Sequence, residues 1–194
     1  MGLTTDRRYT NVAIALHWII AACIVFNLST GQYMEGLKGE PKHLWVSLHS
    51  SAGLTVLVLS FARVAWRLTH RPPALDEHLT RLEKFAAEAV HGLLYVLMIV
   101  VPLAGWSISS ASTRPGAGAE LYFLMYVPKI WLLKALPMAE KIAVHDQAVW
   151  LHMVSAWTMC ALVVGHVLGA LKHQFFDRQP QFARMWFGQA KPEA

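Results

Sequence analysis

Residues 141–173, KIAVHDQAVWLHMVSAWTMCALVVGHVLGALKH, constrain the fold more than any other stretch. This long apolar run carries His145, His152, His166 and His173 at intervals of seven, fourteen and seven. Wound as an α-helix, it sets the four imidazoles along one stripe, with His152 and His166 about 21 Å apart along the axis. Both inner histidines then fall within a hydrocarbon core of about 30 Å, whereas His145 and His173, about 42 Å apart, reach the headgroups. Ionisable side chains at membrane depth are costly and usually functional, and imidazole is a common axial ligand of haem iron. The run therefore predicts two stacked haems, each hung on one inner histidine.

Composition supports a membrane protein: 55% of the 194 residues are hydrophobic, 15% are charged and the mean hydropathy is +0.38. Cys23 and Cys160 both lie in apolar runs, away from any CxxCH pattern, which excludes a disulfide framework and covalent c-type haem attachment. The formal charge of +5 does not point to nucleic acid, because the basic residues flank apolar spans and form no patch interleaved with aromatics.

Four apolar runs, at about 11–30, 43–68, 86–107 and 142–173, predict an all-α integral membrane fold. The expected architecture is a four-transmembrane-helix antiparallel bundle forming one domain over residues 1–194, with two haems inside. The first run follows Arg7 and Arg8 as a signal peptide would, but its length and its His17 fit a retained span better. Pro72 and Pro73 break the chain between the second and third runs, and Pro102 introduces a kink into the third. Within the long loop before the last run, LYFLMYVPKIWLLKALP reads as an interfacial segment lying on the bilayer, since Pro128, Lys129, Lys134 and Pro137 interrupt it. Eleven basic residues fall on the side of the termini (Arg7, Arg8, Arg63, Arg67, Arg71, Arg81, Lys84, Lys172, Arg178, Arg184 and Lys191) and six on the other side. This asymmetry places both termini in the cytoplasm of a bacterial inner-membrane protein, with the long loop periplasmic.

The topology gives each buried histidine a depth. His49, at the outer start of the second span, matches His152. His17, His91 and His166 share the inner level, and geometry alone leaves His17 and His91 as alternative partners of His166. A spare intramembrane histidine is either a hydrogen-bonded packing residue or a handler of protons at a quinone site. A transporter for Zn, Cu or Ni is the structural rival, but carboxylates or thiolates would be expected along its pathway, and Glu88 is the nearest carboxylate to a span interior. Arg63 and Arg67 serve as membrane anchors or, in a sharper reading, pair with haem propionates.

The segments RYTNVAIALHWIIA, SLHSSAGLTVLVLSFARVAWRL, HGLLYVLMIVVPLAGW and WLHMVSAWTMCALVVGHVLGALKHQFF together resemble the prokaryotic cytochrome b561 family. The HW pair and the H-x13-H spacing are its most specific features, and the family in turn resembles the cytochrome b subunits of nickel hydrogenases. The resemblance implies two haem b groups, one held by His17 with His166 and the other by His49 with His152, leaving His91 outside the axial set. It also implies a superoxide oxidase that passes electrons from superoxide to ubiquinone. A haem-bearing relay for a separate dehydrogenase or periplasmic redox protein is the alternative. His91, His173 and Lys172 gather near the inner haem as candidate quinone or proton-handling residues, and no catalytic residue is assigned. On the periplasmic side, Lys38, Lys42, Arg114, Lys129, Lys134 and Lys141 are offset by Glu35, Glu40, Glu120, Glu140 and Asp146, so that face is only weakly positive for an anionic substrate.

Overall fold

The computed structural model describes residues 8–74, 79–114, 118–179 and 181–187; Arg7 and Lys191 of the charge asymmetry lie outside the described residues. Four long helices dominate: α1 (Asn11–Glu35), α2 (Gly39–Thr69), α3 (Arg81–Ala111) and α5 (Met138–Leu171). All four are long and apolar enough to cross a membrane, the last continuing to Phe176. The protein is an integral membrane four-helix bundle. Its large exposed side chains, among them Val58, Leu93, Trp157 and Val164, are the lipid-facing surface expected of such a bundle.

The helices outrun their apolar cores because polar residues extend and cap them. Thr10 caps α1 by accepting from the Ala13 amide at 3.3 Å, and it also accepts from Trp66 Nε1 at 2.9 Å. One hydroxyl thus ties the start of α1 to the end of α2. Thr80 and Glu83 form a reciprocal capping box at the start of α3, satisfying amides that the first turn leaves orphaned. At the same end of the bundle α5 passes into a π-helical turn, Lys172–Phe176, and the short α6 (Gln181–Arg184) follows. Tyr9 N donates to Arg184 O at 3.1 Å and Trp18 Nε1 to Met185 O at 2.8 Å, so the start of α1 meets the segment around α6 there. We call this end the terminal side and the other the loop side.

Close packing runs α1 to α2, α2 to α3 and α3 to α5. Since lipid gives no hydrophobic drive for helices to associate, small side chains matter at these contacts: Ser47, Ser51, Ala52, Ala104 and Ala148 are all buried. At mid-depth Ile20, Ile24, Val56, Leu97, Met98 and Met159 form one buried apolar cluster drawn from all four spans.

The loop between α3 and α5 is not a flat interfacial segment throughout. It folds into an antiparallel hairpin of β1 (Ala119–Leu121) and β2 (Met125–Val127), then a single helical turn, α4 (Trp131–Lys134). Leu124 N donates to Leu121 O at 2.9 Å, closing a tight turn in which Tyr122 and Phe123 have φ of 49° and 61°. Two bulky aromatics in the left-handed region cost of order 1–3 kcal/mol each. The turn is held by α2: Tyr122 N donates to Ser51 Oγ at 2.7 Å, Ser51 Oγ donates to Glu120 O at 2.8 Å, and Tyr122 Oη meets Thr55 Oγ1 at 2.9 Å.

Candidate functional site: two histidine levels

The bundle brings five span histidines together at two depths, His17, His49, His152 and His166 half-buried and His91 exposed. On the loop side His49 of α2 faces His152 of α5, ring centroids 6.1 Å apart. On the terminal side His166 of α5 lies between His17 of α1, at 6.3 Å, and His91 of α3, at 5.2 Å. The apolar cluster separates the levels, Met159 standing midway between His152 and His166 in the sequence.

Hydrogen bonds fix how the loop-side rings present themselves. His152 Nδ1 lies 3.0 Å from Val101 O, and a carbonyl only accepts, so the proton sits on Nδ1 and Nε2 keeps its lone pair. His49 Nδ1 lies 3.1 Å from Thr30 Oγ1, whose own proton goes to Phe26 O at 2.9 Å; the hydroxyl therefore accepts from His49, with the same result. A ring oriented through Nδ1 with a free Nε2 is the usual state of a metal-binding histidine. Gly105 permits this at the second ring, since a Cβ there would stand 3.3 Å from His152 Cε1 and 3.4 Å from Nδ1.

The terminal-side level is built differently. Arg63 donates from Nε to Tyr95 Oη at 3.0 Å and from Nη1 to His17 Nδ1 at 3.0 Å, and Tyr95 lies under both Arg63 and Arg67, 5.5 and 5.7 Å from its ring centre. Arg63 thus points into the bundle and is more than an anchor at its surface. Guanidinium can only donate, so His17 accepts through Nδ1 and its neutral ring holds the proton on Nε2. One turn along α2 from Arg63, Ser60 Oγ is buried without a hydrogen-bond partner among the described residues.

Two imidazoles on opposite sides of one metal ion, each with a metal–nitrogen bond of about 2 Å, place their ring centres about 6 to 6.5 Å apart. His49–His152 and His17–His166 have that separation. His91–His166 is about an ångström too short. The donor sets, paired half-buried imidazoles with no thiolate or carboxylate grouped with them among the described residues, suit haem iron.

Of the other sequence-predicted residues, Lys172 and His173 come together, but at the terminal-side surface. Lys172 Nζ bridges Glu83 Oε1 and Asp177 Oδ2, each at 2.8 Å, and His173 Nδ1 meets the same Asp177 oxygen at 2.6 Å. Hydrogen bonds from Lys172 and then His173 hold the Asp177 carboxyl below the usual carboxylate range. His91 lies about 12 Å deeper along α3 than Glu83, so the three residues do not form one contact group. Sequence reasoning missed Thr30, Gly105 and the Val101 carbonyl. Matching the depth of Thr30 on α1 to that of His49 could have found the first.

The profile of the prokaryotic cytochrome b561 family matches residues 8–188. This protein belongs to that family. Cytochrome b561 homolog 2 of Escherichia coli K12 is 30% identical over 183 residues, 93% of this chain and 92% of that protein. Cytochrome b562 of Cereibacter sphaeroides is 36% identical over 125 residues, 61% of this chain and 77% of its own length. The probable superoxide oxidase CybB of Yersinia pestis is 24% identical over 184 residues, covering 92% of this chain and 96% of that protein. As a prokaryotic cytochrome b561, the protein is a multi-pass bacterial membrane protein of electron transfer, and its family implies haem b.

Proposed function

We propose that this cytochrome is a di-haem superoxide:ubiquinone oxidoreductase whose single domain carries electrons from the periplasmic side of the inner membrane to a quinone near the cytoplasmic side. The observation that carries this reading is the pair of matched histidine couples, 6.1 and 6.3 Å between ring centres, at two depths across one apolar cluster. His49 with His152 would hold the outer haem and His17 with His166 the inner. Haem supplies one-electron transfer when bound, while the protein supplies ligation, burial and orientation. Thr30 and the Val101 carbonyl hold the outer imidazoles with Nε2 presented. At the inner level His17 would hold the group through Nε2, with Arg63 turned from its Nδ1 to another acceptor, and a propionate carboxylate would be the acceptor that guanidinium binds best.

The overall reaction balances with two superoxide anions giving up one electron each and leaving as two dioxygen molecules, while one quinone gains two electrons and two protons to become quinol. The protons would enter from the cytoplasmic side, where His173, Asp177, Lys172 and Glu83 form a connected polar group, and would reach the quinone by way of His91, which stands at the inner level 5.2 Å from His166. Orientation with both termini cytoplasmic follows from the basic residues on the terminal side. The 24% identity to a probable superoxide oxidase over nearly the whole chain supports the choice of donor.

The test uses purified protein alone. A superoxide source should reduce its b-type absorption band, and a ubiquinone analogue should reoxidise it with no second protein present. Reduction that depends on an added dehydrogenase or periplasmic redox protein would replace this reading with that of an electron relay. In the same assay His91→Ala should keep its full haem content and lose quinone reduction by roughly a hundredfold, the lower end of the range for an acid–base group.

A further inference from the structure

The hairpin between α3 and α5 is fixed to α2 far below the end of that helix. The mid-depth cluster includes Val56, so position along α2 gives the depth of anything bonded to it. Tyr122 Oη meets Thr55 Oγ1, one residue from Val56, and the Tyr122 amide meets Ser51 Oγ, about 7.5 Å nearer the loop side. The half-thickness of the hydrocarbon is about 15 Å, so the turn stands well inside it, deeper than His49. Its side chains agree with that depth: Phe123, Leu124, Met125 and Tyr126 are 52, 85, 61 and 72% exposed, and none is charged. Glu120, by contrast, meets Ser47 Oγ at 3.1 Å and His43 Nε2 at 3.7 Å, about 13.5 Å from mid-depth and therefore at the edge of the headgroups.

Irregular backbone survives at membrane depth only where its polar groups are satisfied. Here the strands pair with each other, Leu124 N bonds Leu121 O, and Ser51 serves both Tyr122 N and Glu120 O. Beside the turn, Tyr122 walls an apolar groove of about 260 Å³ with Ala22, Cys23 and Phe26 of α1 and Leu48 and Ala52 from the loop-side half of α2. We infer that residues 119–127 form a re-entrant hairpin inserted into the loop-side leaflet, its apolar tip and this groove covered by lipid acyl chains. Chain topology at the outer haem level is then four helices plus a half-depth hairpin. This inference depends on the four-span fold and is independent of the electron donor and acceptor.

The experiment is spin labelling in a background with Cys23→Ala and Cys160→Ala. Leu124→Cys and Met125→Cys are labelled separately and reconstituted in phosphatidylcholine vesicles. Power saturation by oxygen and by a water-soluble nickel chelate is compared with Val58→Cys on the lipid-facing side of α2 and Lys134→Cys on α4. Retention of the wild-type absorption spectrum reports that each variant is folded. Both hairpin sites should resemble Val58→Cys, oxygen-accessible and shielded from nickel, with an accessibility ratio within a factor of about two. Nickel access like that at Lys134→Cys would overturn the inference by placing the tip in water. Labels immobilised and shielded from both reagents would overturn it as well, since protein and not lipid would cover the hairpin.

Discussion

His152→Ala is expected to purify with one haem per chain in place of two, and so are His49→Ala, His17→Ala and His166→Ala. On the proposed ligation, each substitution would remove one of two axial nitrogens at its level, and the remaining imidazole would leave an open, exchangeable position at the metal. Pyridine haemochrome analysis gives the ratio directly. Combining one substitution from each level, as in His152→Ala with His166→Ala, should abolish haem binding, whereas His49→Ala with His152→Ala should still retain one haem. His91→Ala should retain both, because 5.2 Å between the centres of His91 and His166 is too short for an iron between them, whereas 6.3 Å between His17 and His166 is sufficient. Loss of a haem in His91→Ala, with retention of two in His17→Ala, would reverse the inner pairing.

Gly105→Val should reproduce the loss expected of His152→Ala without replacing a proposed ligand. A Cβ at position 105 already stands 3.3 Å from His152 Cε1, and the two further methyls of valine have no room while the ring stays hydrogen-bonded to Val101 O at 3.0 Å. The imidazole must swing away, breaking the bond that orients its Nε2. Partners of this kind typically change metal affinity by about 10 to 100-fold when removed, and here the ligand itself is also displaced. Gly105→Ala needs a shift of only a few tenths of an ångström and should therefore be intermediate, weakening the outer site while keeping two haems at high loading. Low-spin ferric resonances of the two sites, read by electron paramagnetic resonance, distinguish the levels: Gly105→Val should lose one signal and leave the other unchanged.

The four spans and the two histidine depths were legible because lipid imposes them locally. A helix exposed to acyl chains must be apolar over about 20 residues, and a histidine inside such a run stands out whatever surrounds it. What holds those histidines was less legible, since it depends on contacts between distant residues. Thr30 reaches His49 across 19 positions and the Val101 carbonyl reaches His152 across 51, and neither residue differs in type from its packing neighbours. Sequence depth alone left His17 and His91 as alternatives, and only a distance separates them. Arg63 was legible as a basic residue near a span end, but its inward course to His17 and Tyr95 depends on which face of α2 meets α1 and α3. The hairpin was hidden for another reason: an apolar, proline-interrupted segment reads the same whether it lies on a bilayer or dips into it, and its depth is set by Ser51 and Thr55 of another helix.

The mid-depth cluster of Ile20, Ile24, Val56, Leu97, Met98 and Met159 has an electrical consequence. Its six side chains carry no titratable group, so they offer no proton relay of their own between the two levels. In the proposed reaction, charge passing from the level of His152 to that of His166 would travel about 21 Å along α5, roughly 0.7 of a hydrocarbon layer about 30 Å thick. At about 2.3 kcal/mol per charge per 100 mV across the full layer, each electron moving inward exchanges about 1.6 kcal/mol with a 100 mV membrane potential. The reaction would be electrogenic, and its rate would fall as the membrane it helps to charge becomes more negative inside.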